Sequence, residues 1–379
     1  MRICCWQPVL TAHQSHTLRG LADAAQASLR VIACAPDIAV RRDQGWTTDA
    51  ASVVPVEILP DHDWQARIRA ILREERDSIH IFGSPFERSR QNVALGLALW
   101  HKLETYLISE PYSPVATGYL ADAPRWKERV KTFLRPRLYG LYGQLLRGRL
   151  SGVFAISPAG VRQYRRMGIA TDRIFPFGYF VPLDPAPQAR PMASGGLKVA
   201  YLGSFIERKG VDSLVAAFDR PELVACGATL TLYGGAPAAG TALEGERVRY
   251  GGRLPFGAVG AALAGHDLLV VPSLYDGWAV VVNEAIGAGV PVLASDMVGA
   301  AAMVAQNGCG DTFPPGDAGA LARSIAKIAA DPARLQGWRD RTSPLADLLQ
   351  PIVAGAYMRD CIAATHAGTA PPPAPWYTA

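Results

Sequence analysis

Val271-Pro272-Ser273-Leu274-Tyr275-Asp276-Gly277-Trp278-Ala279-Val280-Val281-Val282-Asn283-Glu284-Ala285 follows an apolar run that begins at Asp267 and passes into a helical pattern. A short apolar strand that turns through a glycine into a helix is the joint of a β-α unit. A glycine at such a turn lets backbone amides approach an anion, and the helix N-terminus behind it favours negative charge. If the helix starts near Trp278, Asp276 sits at its mouth and Glu284 about two turns further in. Taken alone, the two carboxylates also fit a plain account, a helix cap and an exposed helical Glu.

Working outward, the same alternation of apolar runs and helical patterns fills the chain. Before this stretch, strands are expected at Ile3–Trp6, Arg30–Ala33, Val53–Ile58, Ser78–Phe82, Glu104–Ile108, Gly152–Ile156 and Arg173–Pro176. Helical periodicity marks Trp64–Arg76 and Glu87–His101. The Pro- and Gly-rich segment 182–196 has no apolar periodicity and reads as a linker. The pattern then restarts with Leu197–Leu202, Ala228–Tyr233, Arg247–Tyr250, Asp267–Val271 and Pro291–Ala294. The expected organisation is α/β: two Rossmann-like, doubly wound domains, 1–181 and 197–342, facing across a cleft. A helix in 343–366 is expected to pack back toward the first domain, and 367–379 to be a disordered tail.

At 379 residues, with 49% hydrophobic and 19% charged residues, the composition excludes a single small module and a disordered or fibrous chain. The cysteines at 4, 5, 34, 226, 309 and 361 include no C-x-x-C pair and no zinc-like spacing, which suits a reducing cytoplasm without disulfides or structural metal. No signal-peptide pattern opens the chain, and no run of about 18 apolar residues offers a membrane span.

Net charge is +5, yet residues 124–152 hold eight basic residues against Glu128 alone. That segment carries +7 and the remainder −2, which argues against a uniformly basic nucleic-acid binder. Apolar side chains lie between its cations, namely Trp126, Phe133, Leu134, Leu138, Tyr139, Leu141, Tyr142, Leu145 and Leu146. Two readings stand: an interfacial surface facing anionic headgroups, or a solvated helical hairpin whose aromatics pack inward.

Pro272-Ser273, Asp276-Gly277-Trp278, Glu284-Ala285 and Gly287-Ala288-Gly289-Val290-Pro291-Val292 resemble the E-x7-E region of retaining, GT-B-fold glycosyltransferases of family 4. Leu202-Gly203-Ser204-Phe205-Ile206-Glu207-Arg208-Lys209-Gly210-Val211-Asp212 resembles the family's donor-phosphate loop, in the variant of some lipopolysaccharide and exopolysaccharide sugar transferases. Tyr233-Gly234-Gly235 and Gly252-Arg253-Leu254 resemble its nucleotide-base region. Phe313-Pro314-Pro315-Gly316-Asp317, Asp331-Pro332 and Ala155-Ile156-Ser157 match further points in order. The resemblance is strong over 197–335 and diffuse before 150.

The resemblance implies a retaining enzyme that moves a sugar from a nucleoside diphosphate to a hydroxyl of a glycan or lipid-linked acceptor, in bacterial cell-surface polysaccharide synthesis. Lys209 and Arg208 would hold the diphosphate and stabilise the charge growing on it. Asp276 would meet hydroxyls of the transferred sugar. The amides of Gly277, Trp278, Ala279 and Val280 would meet sugar and phosphate, and Glu284 the ribose. Gly203, Ser204, Gly234, Arg253 and Ser273 complete the expected donor set.

Several positions depart from the family pattern. Asp276 stands for the usual first Glu, Ser204 for a common Arg, and Glu110 for the His after the fifth strand. The N-terminal Gly-Gly loop is replaced by Pro8-Val9-Leu10-Thr11-Ala12-His13-Gln14-Ser15-His16, where His13, Gln14 and His16 are candidates for the acceptor side.

Asp61-His62-Asp63 is a D-x-D, a metal-binding signature in another glycosyltransferase fold, but it precedes a helical run and is expected to serve the helix start. The resemblance therefore implies no cofactor and no divalent metal. It also implies a cytoplasmic location, peripheral on the inner face of the inner membrane. Two alternatives remain from the residues: a nucleotide-sugar epimerase of the same fold, and a catalytically silent subunit of a glycan-assembly complex.

Overall fold

The structure is a computed structural model. It describes residues 1–36, 53–86, 89–114, 125–183, 196–235, 245–254 and 257–377, with the backbone alone at 125–129 and 131. The chain divides into two compact units. The first comprises Met1–Tyr112, Leu134–Pro182 and Gln350–Pro375, and the second Ser113–Phe133, Leu183–Leu349 and Trp376–Ala379.

The first unit is built on seven strands: β1 (Arg2–Gln7), β2 (Ser28–Ala33), β3 (Val56–Ile58), β4 (Ile79–Phe82), β5 (Thr105–Ser109), β6 (Gly152–Ile156) and β7 (Ile174–Phe177). They are parallel throughout, in the order β3-β2-β1-β4-β5-β6-β7. Strands of a parallel sheet are buried on both faces, which is why β4, β5 and β6 are buried at every residue and read as apolar runs. The helix Pro351–Ala367 lies against the helix Ala12–Ala25 in this unit. The approach needs glycine on both sides: a Cβ on Gly20 would stand 2.2 Å from the Pro351 carbonyl oxygen, and one on Gly355 2.1 Å from the Gly20 carbonyl carbon.

The second unit holds β8 (Lys198–Leu202), β9 (Thr229–Tyr233), β10 (Val248–Gly252), β11 (Leu268–Val271), β12 (Val292–Ser295) and β13 (Gly310–Phe313). Their order is β10-β9-β8-β11-β12-β13, again parallel. The strand sequence runs outward from β8 on one side and from β11 on the other, so their shared border is the topological switch point. A core of Leu197, Val199, Leu214, Phe218, Leu230, Leu232, Val270 and Leu321 fills the layers around this sheet.

The structure corrects several expectations. β13 was not expected as a strand because Gly310-Asp311-Thr312 is polar; it forms at the sheet edge beside β12. The helix after β11 starts at Val280 rather than Trp278, because Trp278 turns its indole fully into the core and Ala279 takes a left-handed φ of 72°. Residues 368–370 are exposed, but Ala374 and Trp376 are buried and the Trp376 carbonyl accepts from Asn307 Nδ2 at 3.0 Å, so the segment is anchored at Trp376 where a disordered tail was expected. Two helices, Thr342–Leu348 and Pro351–Ala367, stand where one was expected. Of the expected linker 182–196, residues 184–195 lie outside the described residues.

Asp63 does precede the helix Trp64–Glu74, but it adopts a left-handed φ of 56° and makes no side-chain cap bond. Asp61 instead pairs with Arg90 at 3.3 Å. All six cysteines are free thiols. Among the described residues no helix is long and apolar enough to cross a membrane.

Candidate functional site at the second unit's switch point

The loops that leave β8 and β11 meet at the C-terminal edge of the second sheet. After β8 the chain runs through Gly203-Ser204 into a short 3-10 turn, Glu207–Lys209, and then the helix Val211–Phe218. Gly210 joins the two with a left-handed φ of 67°, and a Cβ there would stand 2.1 Å from the Pro272 carbonyl oxygen. Glycine is thus required twice over, by φ and by the close approach of the loop after β11.

This approach sets the charged groups. Leu274 N–H donates to the Arg208 carbonyl at 2.8 Å, and the Arg208 guanidinium donates to the Tyr275 carbonyl at 2.7 Å. Arg208 is buried, while the neighbouring Lys209 Nζ forms an ion pair with the Asp276 carboxylate. Burial alone would raise the Asp276 carboxyl, but the Lys209 and Arg208 charges outweigh it and hold the group below its ordinary range. Asp276 is therefore an anion at neutral pH, and the two cations are fixed beside it.

A third loop clamps the same segment from behind. Asp276 N–H donates to the Met297 carbonyl at 3.1 Å, Gly299 N–H to the Asp276 carbonyl at 2.9 Å, and Ala300 N–H to the Trp278 carbonyl at 3.1 Å. Trp278 Nε1 donates to Asn283 Oδ1 at 3.0 Å in the interior. Its indole is therefore structural, and only its backbone is left to meet a ligand. Met297, Gly299 and Asn283 were missed in the sequence. Their contribution is by backbone position or burial, which no motif spells out.

Glu284 sits one helical turn inside Val280–Gly287, half-buried, and burial pushes its carboxyl up to about 7. Ser273 is fully buried, and its hydroxyl has no hydrogen-bond partner among the described residues. Gly234, at the end of β9, lies so close to Gly203 that a Cβ would stand 2.2 Å from the Gly203 carbonyl oxygen. Ser204 belongs to the same loop, its carbonyl accepting from the Tyr201 hydroxyl at 2.8 Å. Arg253, after β10, is exposed. Ten of the expected donor residues (Gly203, Ser204, Arg208, Lys209, Gly234, Ser273 and the 276–279 loop) are thus carried on strand ends that neighbour one another.

Glu110, His13, Gln14 and His16 belong to the first unit. Glu110 follows β5, and its carbonyl accepts from the Ser109 hydroxyl at 3.2 Å. Gln14 closes a capping box with Thr11 and also donates to Gln7 Oε1 at 3.1 Å. His13 is buried, with Nε2 3.0 Å from the Thr11 hydroxyl and its ring 4.2 Å from Tyr179. His16 is half-buried, and burial lowers its pKa. Among the described residues no three His, Cys, Asp or Glu side chains cluster as metal ligands would.

Residues 196–331 match the family described as Glycosyl transferases group 1. The chain is 29% identical over 155 residues to a glycogen synthase of Mycobacterium tuberculosis, covering 39% of this chain and 37% of that one. It is 26% identical over 227 residues to a GDP-mannose-dependent alpha-(1-6)-phosphatidylinositol monomannoside mannosyltransferase of Mycolicibacterium smegmatis, covering 52% of this chain and 58% of that one. The matches thus span less than two thirds of these relatives' own length. In fold, the chain resembles Anabaena Alr3699/HepE, solved with UDP and glucose, at a TM-score of 0.66 and 16% identity over 97% of this chain and 100% of that one. The match to the glycosyl transferases group 1 model thus falls on the second unit, in a chain of GT-B fold.

Proposed function

We propose that the protein is a retaining glycosyltransferase of family 4 that transfers a sugar from a nucleoside diphosphate to a hydroxyl of a glycan or lipid-linked acceptor. The observation that carries this is the convergence of Arg208 and Lys209 at the switch point, beside the Asp276–Val280 turn. Two fixed cations and a row of backbone amides suit a diphosphate whose charge grows as the glycosidic bond breaks. The named relatives, a glycogen synthase and a mannosyltransferase, support the reaction class.

In this reading the donor diphosphate competes with Asp276 for Lys209, and the released carboxylate accepts hydroxyls of the transferred sugar. Glu284 accepts the ribose hydroxyls. No side chain acts as nucleophile; the departing phosphate takes the acceptor proton on the same face, and positioning supplies the rest. Positive charge comes from Lys209 and Arg208, so the reaction needs no divalent metal or other cofactor. The acceptor falls to the first unit, with Gln14, His16 and Glu110 as its candidate contacts. The enzyme acts at the cytoplasmic face of the membrane.

A panel of nucleotide sugars, read first by thermal stabilisation, identifies the donor base: a ligand at 100 times its Kd adds about 2.7 kcal/mol. Product analysis by NMR then reads the anomeric configuration. Retention supports the proposal, and epimerised donor without acceptor, or inversion, overturns it.

A further inference from the structure

We infer that a groove across β8, β9 and β10 of the second sheet binds a phosphate monoester carried on a small ring, a sugar phosphate or a nucleoside monophosphate. The groove is a cavity of about 750 Å³, within the size range of small-molecule sites, and all of its lining belongs to the second unit. Side chains alternate across a strand, so β9 sends Leu230 and Leu232 into the core and Thr229, Thr231 and Tyr233 to the opposite face. On that face Lys198 of β8 stands beside Thr229, and Arg249 of β10 beside Thr231. The two outer strands are about 10 Å apart, so the cations flank a pair of threonine hydroxyls.

The charge on this wall is uncompensated. Lys198, Arg247 and Arg249 line the groove together with Glu246, which forms no ion pair with them among the described residues. Asp267, the next carboxylate along the chain, is engaged elsewhere: it pairs with Arg339 at 3.3 Å and accepts from the Lys198 backbone N–H at 3.0 Å. Cations left in this way on a concave wall focus a potential that draws anions. A phosphate takes charge-assisted hydrogen bonds from several directions at once, which suits donors placed on both sides of the groove.

The far end of the groove suits a ring. Tyr233 lies against Gly251, where a Cβ would stand 2.5 Å from the phenol ring, and meets the His266 imidazole edge-on at 5.8 Å. His266 Nδ1 donates to the Ala262 carbonyl at 3.0 Å, because a carbonyl can only accept, and Nε2 has no partner among the described residues. Burial lowers the His266 pKa; Arg249 and Lys198 act in the same sense, while the Ala262 carbonyl and Asp267 oppose it. The imidazole is thus neutral at pH 7, and a phosphate dianion entering beside it favours its protonation.

This groove is distinct from the donor loops. Those leave the C-terminal ends of β8 and β11, whereas Lys198 and Thr229 begin their strands, and the residues Lys198–Leu202 rise about 13 Å between the two places. Tyr233 joins them, since its carbonyl accepts from the Gly203 N–H at 3.0 Å.

The test needs no nucleotide sugar. Full-length protein with ring-labelled histidine is titrated at pH 7 with ribose 5-phosphate and with adenosine monophosphate, which share a phosphate and a ribose and differ by the base. Inorganic phosphate and ribose are the controls, and His266→Gln assigns the imidazole signal. At least one ester should move that signal toward the protonated form, and the tighter of the two shows whether the ring is a sugar or a nucleoside. Lys198→Gln with Arg249→Gln should weaken binding about tenfold or more, the scale of losing charge-assisted hydrogen bonds. Both side chains are exposed, so the double variant should melt with wild type. Lys209→Ala should bind the ester as wild type does. The inference is overturned if neither ester moves the His266 signal, if inorganic phosphate or ribose binds as tightly as the esters, if the double variant binds as wild type does, or if Lys209→Ala abolishes the shift.

Discussion

Lys209 and Asp276, 67 positions apart in the chain, form an ion pair at the border of β8 and β11. Each is held by its own loop, and the loops are joined by the Leu274–Arg208 and Arg208–Tyr275 hydrogen bonds. A cation and an anion that are both partly buried stabilise one another, so removing either exposes the other to a desolvation cost. A competing anion such as a diphosphate changes that balance at one point.

Lys209→Ala is expected to cost about 2 to 4 kcal/mol of transition-state stabilisation, the scale of one preorganised charge. Asp276→Asn should lower turnover as well, yet leave affinity for free nucleoside diphosphate equal or tighter, because Lys209 is no longer engaged. Steady-state kinetics and calorimetry separate the two effects. Wild-type turnover in Lys209→Ala would remove the assignment.

Glu284 gives a pH signature. Its carboxyl is raised by burial from an ordinary 4.5 to about 7, so between those values the folded protein holds a proton that the unfolded chain has released. Stability from this group is complete below pH 4.5 and is lost as pH rises through 7. Melting curves from pH 5 to 8 should therefore show a fall that Glu284→Gln flattens. Ribose hydroxyls favour the ionised carboxylate, so nucleotide binding near pH 7 should release a proton, read by calorimetry in two buffers of different ionisation enthalpy. Identical heats in both buffers would count against ribose contact.

Activity should survive EDTA, and the double variant Asp61→Asn with Asp63→Asn should keep most of its turnover. Asp61 pairs with Arg90 and Asp63 makes no cap bond, so their loss disturbs surface interactions alone. Strict dependence on Mg²⁺ or Mn²⁺ would reverse this expectation.

Trp376 is fully buried at the end of the chain. Trp376→Ala should destabilise by about 3 to 5 kcal/mol, the cost of deleting a large buried aromatic. Thermal melts of this variant test whether the terminal segment is part of the fold; an unchanged melting temperature would return it to the status of a tail.

Sequence alone determined the two parallel-sheet units and most of their strands, because strands covered on both faces must be apolar almost throughout, as Gly152–Ile156 and Leu268–Val271 are. The Gly203–Gly210 loop and the Asp276–Glu284 spacing were legible for a related reason: glycines at strand ends and charges at helix starts are local chemistry. β13 escaped because an edge strand need not be apolar. Only the tertiary structure decided which groups meet. The order β9-β8-β11-β12 places Lys209 against Asp276, and no local pattern states that strands remote in sequence are neighbours. The helix Arg125–Leu146 makes the same point, since leucines and tyrosines there are equally apolar to a periodicity argument. Burying Tyr139 and Tyr142 against Phe86 is what leaves Leu134, Leu138, Leu141 and Leu145 outside, because a helix can turn only one of its faces to a given core.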